Sequence, residues 1–180
     1  MLDFFSILGL TRNLSIKLPV LEERFRESSL KFHPDRVASD SPAERAVAIK
    51  QSSLINEAYR TLKDPWARAN YAVEKFSGLV PKDSPPTTLL EELMEIQETT
   101  MELQEAKLDN DSLKIDALQQ KLHQVHGTLK TEQDTFELKR EQLFQKFDSG
   151  DESALSKLSA LLGERKYLTR IIQSIENTIL

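Results

Sequence analysis

The sequence predicts an all-α chain in two parts: an antiparallel helical hairpin with a short helix on each side, then a three-helix bundle. Three observations predict it. Apolar residues recur at spacings of three and four, and the alternation expected of strands is nearly absent. Only five Gly and seven Pro punctuate 180 residues, of which 29% are charged. One Gly and three of the Pro fall together, at Gly78, Pro81, Pro85 and Pro86, where helix interiors do not tolerate them. That stretch reads as a linker over 78–86, separating domains at 1–77 and 87–180.

The elements follow in order. Phe4, Phe5, Ile7 and Leu8 make a short apolar segment. From about Pro19 a helix sets Leu18, Leu21, Phe25 and Phe32 on one face, with Ser28 at the intermediate turn and Glu23, Arg24, Arg26, Glu27 and Lys31 on the other. Ser41-Pro42-Ala43-Glu44 is a helix start: Ser41 caps, Pro42 suits the first helical position, and Glu44 completes a capping box. The helix it opens, about 42–62, turns Val47, Leu54, Ile55, Ala58 and Leu62 inward. Asp64-Pro65 closes it and opens the next.

In the second part three amphipathic segments cover about 87–107, 112–147 and 151–178. Thr88 to Glu91 reads as a second capping box, and Asp148-Ser149-Gly150-Asp151 as a turn between helices. The middle segment repeats Ile115, Leu118, Leu122, Val125, Leu129, Phe136, Leu143 and Phe147, with polar interruptions at Glu132 and Arg140 and a candidate bend at Gly127. The last repeats Leu155, Leu158, Leu162, Leu168, Ile172 and Ile175. Short turns make neighbours antiparallel. The first segment is wider in apolar content than one seam needs. Leu89, Leu93, Ile96, Thr100 and Leu103 form one stripe; Leu90, Met94 and Met101 form another about 100° away, with Glu91, Glu95 and Glu98 beyond it. No basic residue occurs between Pro86 and Lys107. One buried seam plus one partner-facing patch rimmed by carboxylates fits this arrangement, and Tyr167, off the main seam of the last helix, is a candidate to join it. Two buried stripes are the alternative.

Composition narrows the function classes. The net charge is −5 and the pI about 5.3, against a duplex nucleic-acid binder. The charge is unevenly shared, +2 over 1–77 and −7 over 78–180. With no Cys there are no disulfides, zinc–thiolate sites, iron–sulfur ligation or Cys nucleophile, and the count is compatible with a reducing cytoplasm. The N-terminus lacks a signal-peptide pattern, and no run is long and apolar enough to span a membrane, so a soluble, cytoplasmic protein without membrane partners is expected. His123 and His126 have chelating spacing but no third ligand in register, and read as helix surface. No metal or cofactor is expected.

Lys31-Phe32-His33-Pro34-Asp35-Arg36 connects the two long N-terminal helices. Pro34 pushes His33 out of helical geometry, so His33 and Asp35 sit at the hairpin tip beside a basic face. An acid–base enzyme is disfavoured, because no nucleophile motif, Gly-rich phosphate loop or ligand cluster accompanies them. His33-Pro34-Asp35, flanked by Phe25-Arg26 and by Asn56-Glu57-Ala58-Tyr59-Arg60-Thr61-Leu62 and preceded by Asp3-Phe4-Phe5-Ser6-Ile7-Leu8-Gly9-Leu10, resembles the J-domain family. The resemblance implies docking to a DnaK-type chaperone and stimulation of its ATP hydrolysis. His33, Pro34 and Asp35 match the motif required for stimulation, and Arg26, Lys31 and Arg36 match basic positions facing the chaperone. Glu22 and Glu27 stand where many J-domains are basic.

With the Pro-rich linker and the acidic helices that follow, the whole chain resembles the HscB family, co-chaperones of iron–sulfur cluster assembly. Leu90-Glu91-Glu92-Leu93-Met94-Glu95-Ile96-Gln97-Glu98 is similar to that family's segment for the scaffold protein IscU, and Arg165-Lys166-Tyr167-Leu168 to its closing segment. The resemblance implies scaffold contacts at Leu90, Met94, Glu95 and Glu98, with Tyr167 at an aromatic position; Glu91 lies in the same segment, where the family often has an apolar residue. It also implies HscA as the chaperone partner and a compact form without a Cys-rich zinc segment. A general DnaK co-chaperone and a coiled-coil oligomerisation protein are the alternative readings.

Overall fold

The computed structural model describes residues 3–32, 41–80 and 87–179. His33, Pro34, Asp35 and Arg36 lie outside them, as do 81–86 of the linker. The described residues are helical and contain no strand: α1 (Phe4–Ile7), α2 (Leu18–Lys31), α3 (Pro42–Lys63), α4 (Pro65–Ala72) continued by a π-helical turn (Val73–Ser77), α5 (Thr87–Leu108), α6 (Ser112–Asp148) and α7 (Ser153–Ile179).

Local chemistry sets most boundaries. Asp3 accepts hydrogen bonds from the Ser6 amide (2.8 Å) and hydroxyl (3.0 Å) and so starts α1. The capping box at α3 is formed: the Glu44 amide donates to Ser41 Oγ (3.3 Å), and the Ser41 amide donates to the Glu44 carboxylate (2.8 Å). The Ser41 hydroxyl, which donates to the Glu44 carboxylate at 2.7 Å, and then the Ser41 amide hold the Glu44 carboxyl below its ordinary value. Asp64 takes the amides of Trp66 (2.7 Å) and Ala67 (2.9 Å), so one residue ends α3 and caps α4. Gly78, at φ +67°, stops the π-helical turn in the left-handed region. The turn after α6 uses Gly150 (φ +99°), and Asp151 caps α7 through the Ser153 amide (3.0 Å). α5 starts at Thr87, and the side chain of Thr88 lies outside those described.

The chain packs as two compact units, Met1–Val80 with Glu141–Leu158, and Pro81–Arg140 with Ser159–Leu180. In the first, Phe5, Leu8, Leu14, Leu21, Ile55 and Leu62 are buried. Phe4 stacks on Tyr71 (centroids 4.3 Å apart), whose hydroxyl accepts the Phe4 amide at 2.8 Å. Burial pushes the Tyr71 phenol up. Phe76 lies between the Arg12 guanidinium (4.2 Å) and the Phe147 ring (6.3 Å). Buried Arg68 donates to the carbonyls of Leu62 (2.8 Å) and Leu14 (2.5 Å), and Asp148 accepts the amides of Leu14 (2.6 Å) and Ser15 (2.9 Å). The end of α6 thereby satisfies a loop more than 130 residues away in sequence.

Two packing expectations are corrected. Val47 is exposed and Ala48 buried in its place, and Leu18 and Phe32 are exposed because they fall on the first turn and the C-cap of α2. Arg140 interrupts the seam of α6 as the sequence predicts: it is buried there, paired with Glu137 one turn earlier. Gly127 lies inside the continuous span of α6.

In the second unit α5 buries Ile96, Thr99, Leu103 and Ala106, α6 buries Leu122, Leu129 and Phe136, and α7 buries Leu168, Ile171, Ile172 and Ile175. Lys121 on α6 pairs with Glu95 on α5 at 2.9 Å. His126 and Lys130 on α6 reach Glu176 on α7 at 3.1 and 3.0 Å. These two bonds, His126 first, hold the Glu176 carboxyl below its ordinary value. His126 is thus engaged with α7 and does not join the exposed His123 as a chelating pair.

Candidate functional site

Two surfaces carry the residues singled out by sequence. On the first unit, Arg26 and Lys31 are both exposed on α2. Arg24 pairs with Glu27 at 3.0 Å, which neutralises one of the two acidic positions on that face. Between α2 and α3 runs an open groove of about 770 Å³ lined by Phe25, Arg26, Leu30, Ser52, Asn56 and Tyr59 among others. Phe25 and Tyr59 stack across it at 4.1 Å, so these half-buried rings brace the hairpin and also face the groove. In sequence His33, Pro34, Asp35 and Arg36 fall between the two helices that make it, outside the described residues.

On the second unit α5 sorts its two stripes. Ile96, Thr99 and Leu103 face inward, whereas Leu90 (44% exposed), Met94 (59%) and Met101 (64%) face solvent. Leu108, at 81%, continues the line. At about 100° per residue all four lie within about 40° of one another, and the buried residues lie on the opposite side of the helix. Leu108 is the member that sequence reading missed; the signal available was the seven-residue repeat Met94, Met101, Leu108.

The carboxylates beside this line are not equivalent. Glu91 and Glu98 are exposed and form no hydrogen bond or ion pair among the described residues, while Glu95 is held by Lys121. Tyr167 is half-buried on α7, with the Arg170 guanidinium 5.7 Å from its ring centre, next to the fully buried Leu168. The site thus offers apolar contact area and two free carboxylates, an arrangement suited to binding. Among the described residues no group of three His, Cys, Asp or Glu is placed to hold a metal ion, and no helix is long and apolar enough to cross a membrane.

Residues 3–72 match the DnaJ domain family. Over 73 residues the chain is 47% identical to a co-chaperone protein HscB homolog of Bordetella petrii, covering 41% of this chain and 43% of that one. Over a longer stretch of 110 residues it is 34% identical to co-chaperone protein HscB of Proteus mirabilis, covering 55% and 63%. The matched part therefore spans less than two thirds of these relatives. Two solved structures share the fold. Chaperone HscB from Vibrio cholerae aligns with a TM-score of 0.63 at 24% identity, over 98% of this chain and 96% of the other. Human co-chaperone protein HscB aligns with a TM-score of 0.68 at 22% identity, over 98% and 82%.

Proposed function

We propose that this chain, whose residues 3–72 match the DnaJ domain family and which is similar to HscB co-chaperones, is a J-type co-chaperone of iron–sulfur cluster assembly and not itself an enzyme. Its J-domain docks on the DnaK-type chaperone HscA through His33, Pro34 and Asp35, with Arg26, Lys31 and Arg36 supplying positive charge, and stimulates ATP hydrolysis there. Its α5 holds the scaffold protein IscU through Leu90 and Met94, with Glu91, Glu95 and Glu98 orienting the contact and Tyr167 contributing from α7. Carrying both partners on one chain raises their effective concentration for each other. Stimulation acts by shifting the chaperone's conformational populations, which favours cluster transfer and protein maturation in the cytoplasm.

One observation carries the reading: a chain with a DnaJ domain also leaves Leu90 and Met94 open to solvent beside two unpaired carboxylates. The test is single-turnover ATP hydrolysis by HscA with IscU present. Wild-type protein accelerates it; His33→Gln abolishes the acceleration while helicity and IscU binding persist. Acceleration retained by the variant refutes the docking assignment.

A further inference from the structure

Within the second unit α5 and α6 enclose a cleft of about 210 Å³, distinct from the exposed line of Leu90, Met94, Met101 and Leu108 and on the other side of α5. Its floor is apolar: Ile96, Leu122 and Leu129 are at most 4% exposed, and Val125 adjoins them. Its rim carries Glu92, Glu95 and Lys121. Lys121 is already committed to Glu95 at 2.9 Å. Glu92 forms no hydrogen bond or ion pair among the described residues. The two hydroxyls of the lining donate to carbonyls of their own helices, Thr99 to Glu95 (2.8 Å) and Thr128 to Gln124 (3.2 Å). Toward the cleft they present lone pairs only. The polar groups left unengaged there are therefore acceptors, and the uncompensated charge is negative. Burial first, then the charges of Glu132 and Glu95, pushes the Glu92 carboxyl up, an electrostatic cost that a bound cation relieves.

We propose that this cleft binds a linear alkylammonium ion, tail first, with the hydrocarbon chain on Ile96, Leu122, Val125 and Leu129 and the ammonium at the rim on Glu92. The polarity gradient sets the direction, because the apolar surface is innermost and the carboxylate outermost. A lysine side chain on a docked polypeptide enters the opposite way, with its charge leading onto the apolar floor, and does not fit. An alcohol of equal length lacks the charge, and a carboxylate meets repulsion from Glu92.

The full chain is titrated with butyl-, pentyl- and hexylammonium, and methyl resonances of Ile96, Val125 and Leu129 are followed by NMR. Saturable shifts confined to those methyls are expected, with affinity rising about fourfold per methylene. Glu92→Gln weakens hexylammonium binding about tenfold, whereas the exposed Glu102→Gln on the same helix leaves it unchanged. The proposal is overturned if shifts do not saturate, if hexanol, hexanoate or Nα-acetyl-lysine amide binds as tightly as hexylammonium, or if Glu92→Gln matches wild type.

Discussion

Replacing Leu90 and Met94 together by Ala separates a binding surface from a core. Leu90 is 44% exposed and Met94 59%, so between them they present about one whole large side chain to solvent. Covering that much apolar surface contributes about 1.5–3 kcal/mol to an association. Truncating both forfeits most of it, so scaffold affinity falls by about 10- to 100-fold at 1.4 kcal/mol per decade. Stability responds differently: substitutions at exposed positions stay within about 0.5 kcal/mol each. Leu103→Ala, at a position with 0% exposure one stripe away, is the internal contrast; it costs about 2–5 kcal/mol of folding stability. The assay is calorimetric titration of each variant with purified IscU, with thermal melts by circular dichroism alongside. Affinity within twofold of wild type for the double variant refutes the assignment of the stripe, and a melt as depressed as that of Leu103→Ala refutes its exposure.

Three further outcomes follow from named contacts. Asp148→Ala strands the Leu14 and Ser15 amides, at a cost of about 2–3 kcal/mol and about 4–10 °C in melting temperature; Asp148→Asn, which keeps an acceptor, lies between the two, and a change below 1 °C in the Ala variant refutes the clamp. The Glu176 carboxyl is held below its ordinary 4.5 by His126 and Lys130. Its contribution is therefore full above that value and lost as pH falls through the lower folded value. Denaturant midpoints of wild type and Glu176→Gln should differ at pH 7 and converge by pH 3, and a gap that persists at pH 3 contradicts the assignment. Ser41→Ala removes the acceptor for the Glu44 amide and should cost about 1 kcal/mol, read from the shift of the urea midpoint.

What was legible in the sequence was what is decided within four residues. Ser41 with Glu44, Asp64 before Pro65, and Asp151 after Gly150 each act on amides two or three positions away, so residue type and spacing suffice. Packing across long separations left no such mark. Nothing near Asp148 announces that its carboxylate serves Leu14 and Ser15, and nothing near Arg68 announces the Leu14 carbonyl. Apolar periodicity also weights bulk, which favours Val47 for the inner face; in the structure small Ala48 takes that place. For α5 the sequence offers two stripes of similar quality, and only the positions of α6 and α7 decide which is covered. The all-α class and the J-domain likeness were readable because they rest on long periodic runs and a motif in its flanking context.

The exposed line on α5 raises a problem of its own, since Met94, Met101 and Leu108 recur every seven residues, the spacing by which helices of separate chains pair. Self-pairing is opposed by the residues between and beside them. Gln97 and Gln104 fall at the alternate seam positions, so a pair of copies would bury two amides from each chain among apolar neighbours. Glu91, Glu98 and Glu105 all flank the same side, and antiparallel pairing would set carboxylate against carboxylate. A partner that brings donors for the glutamines and positive charge for the glutamates meets neither penalty. On the proposed reading, the polar residues that limit the stripe's hydrophobicity would also select what can cover it, leaving an apolar surface open to one partner while disfavouring self-association.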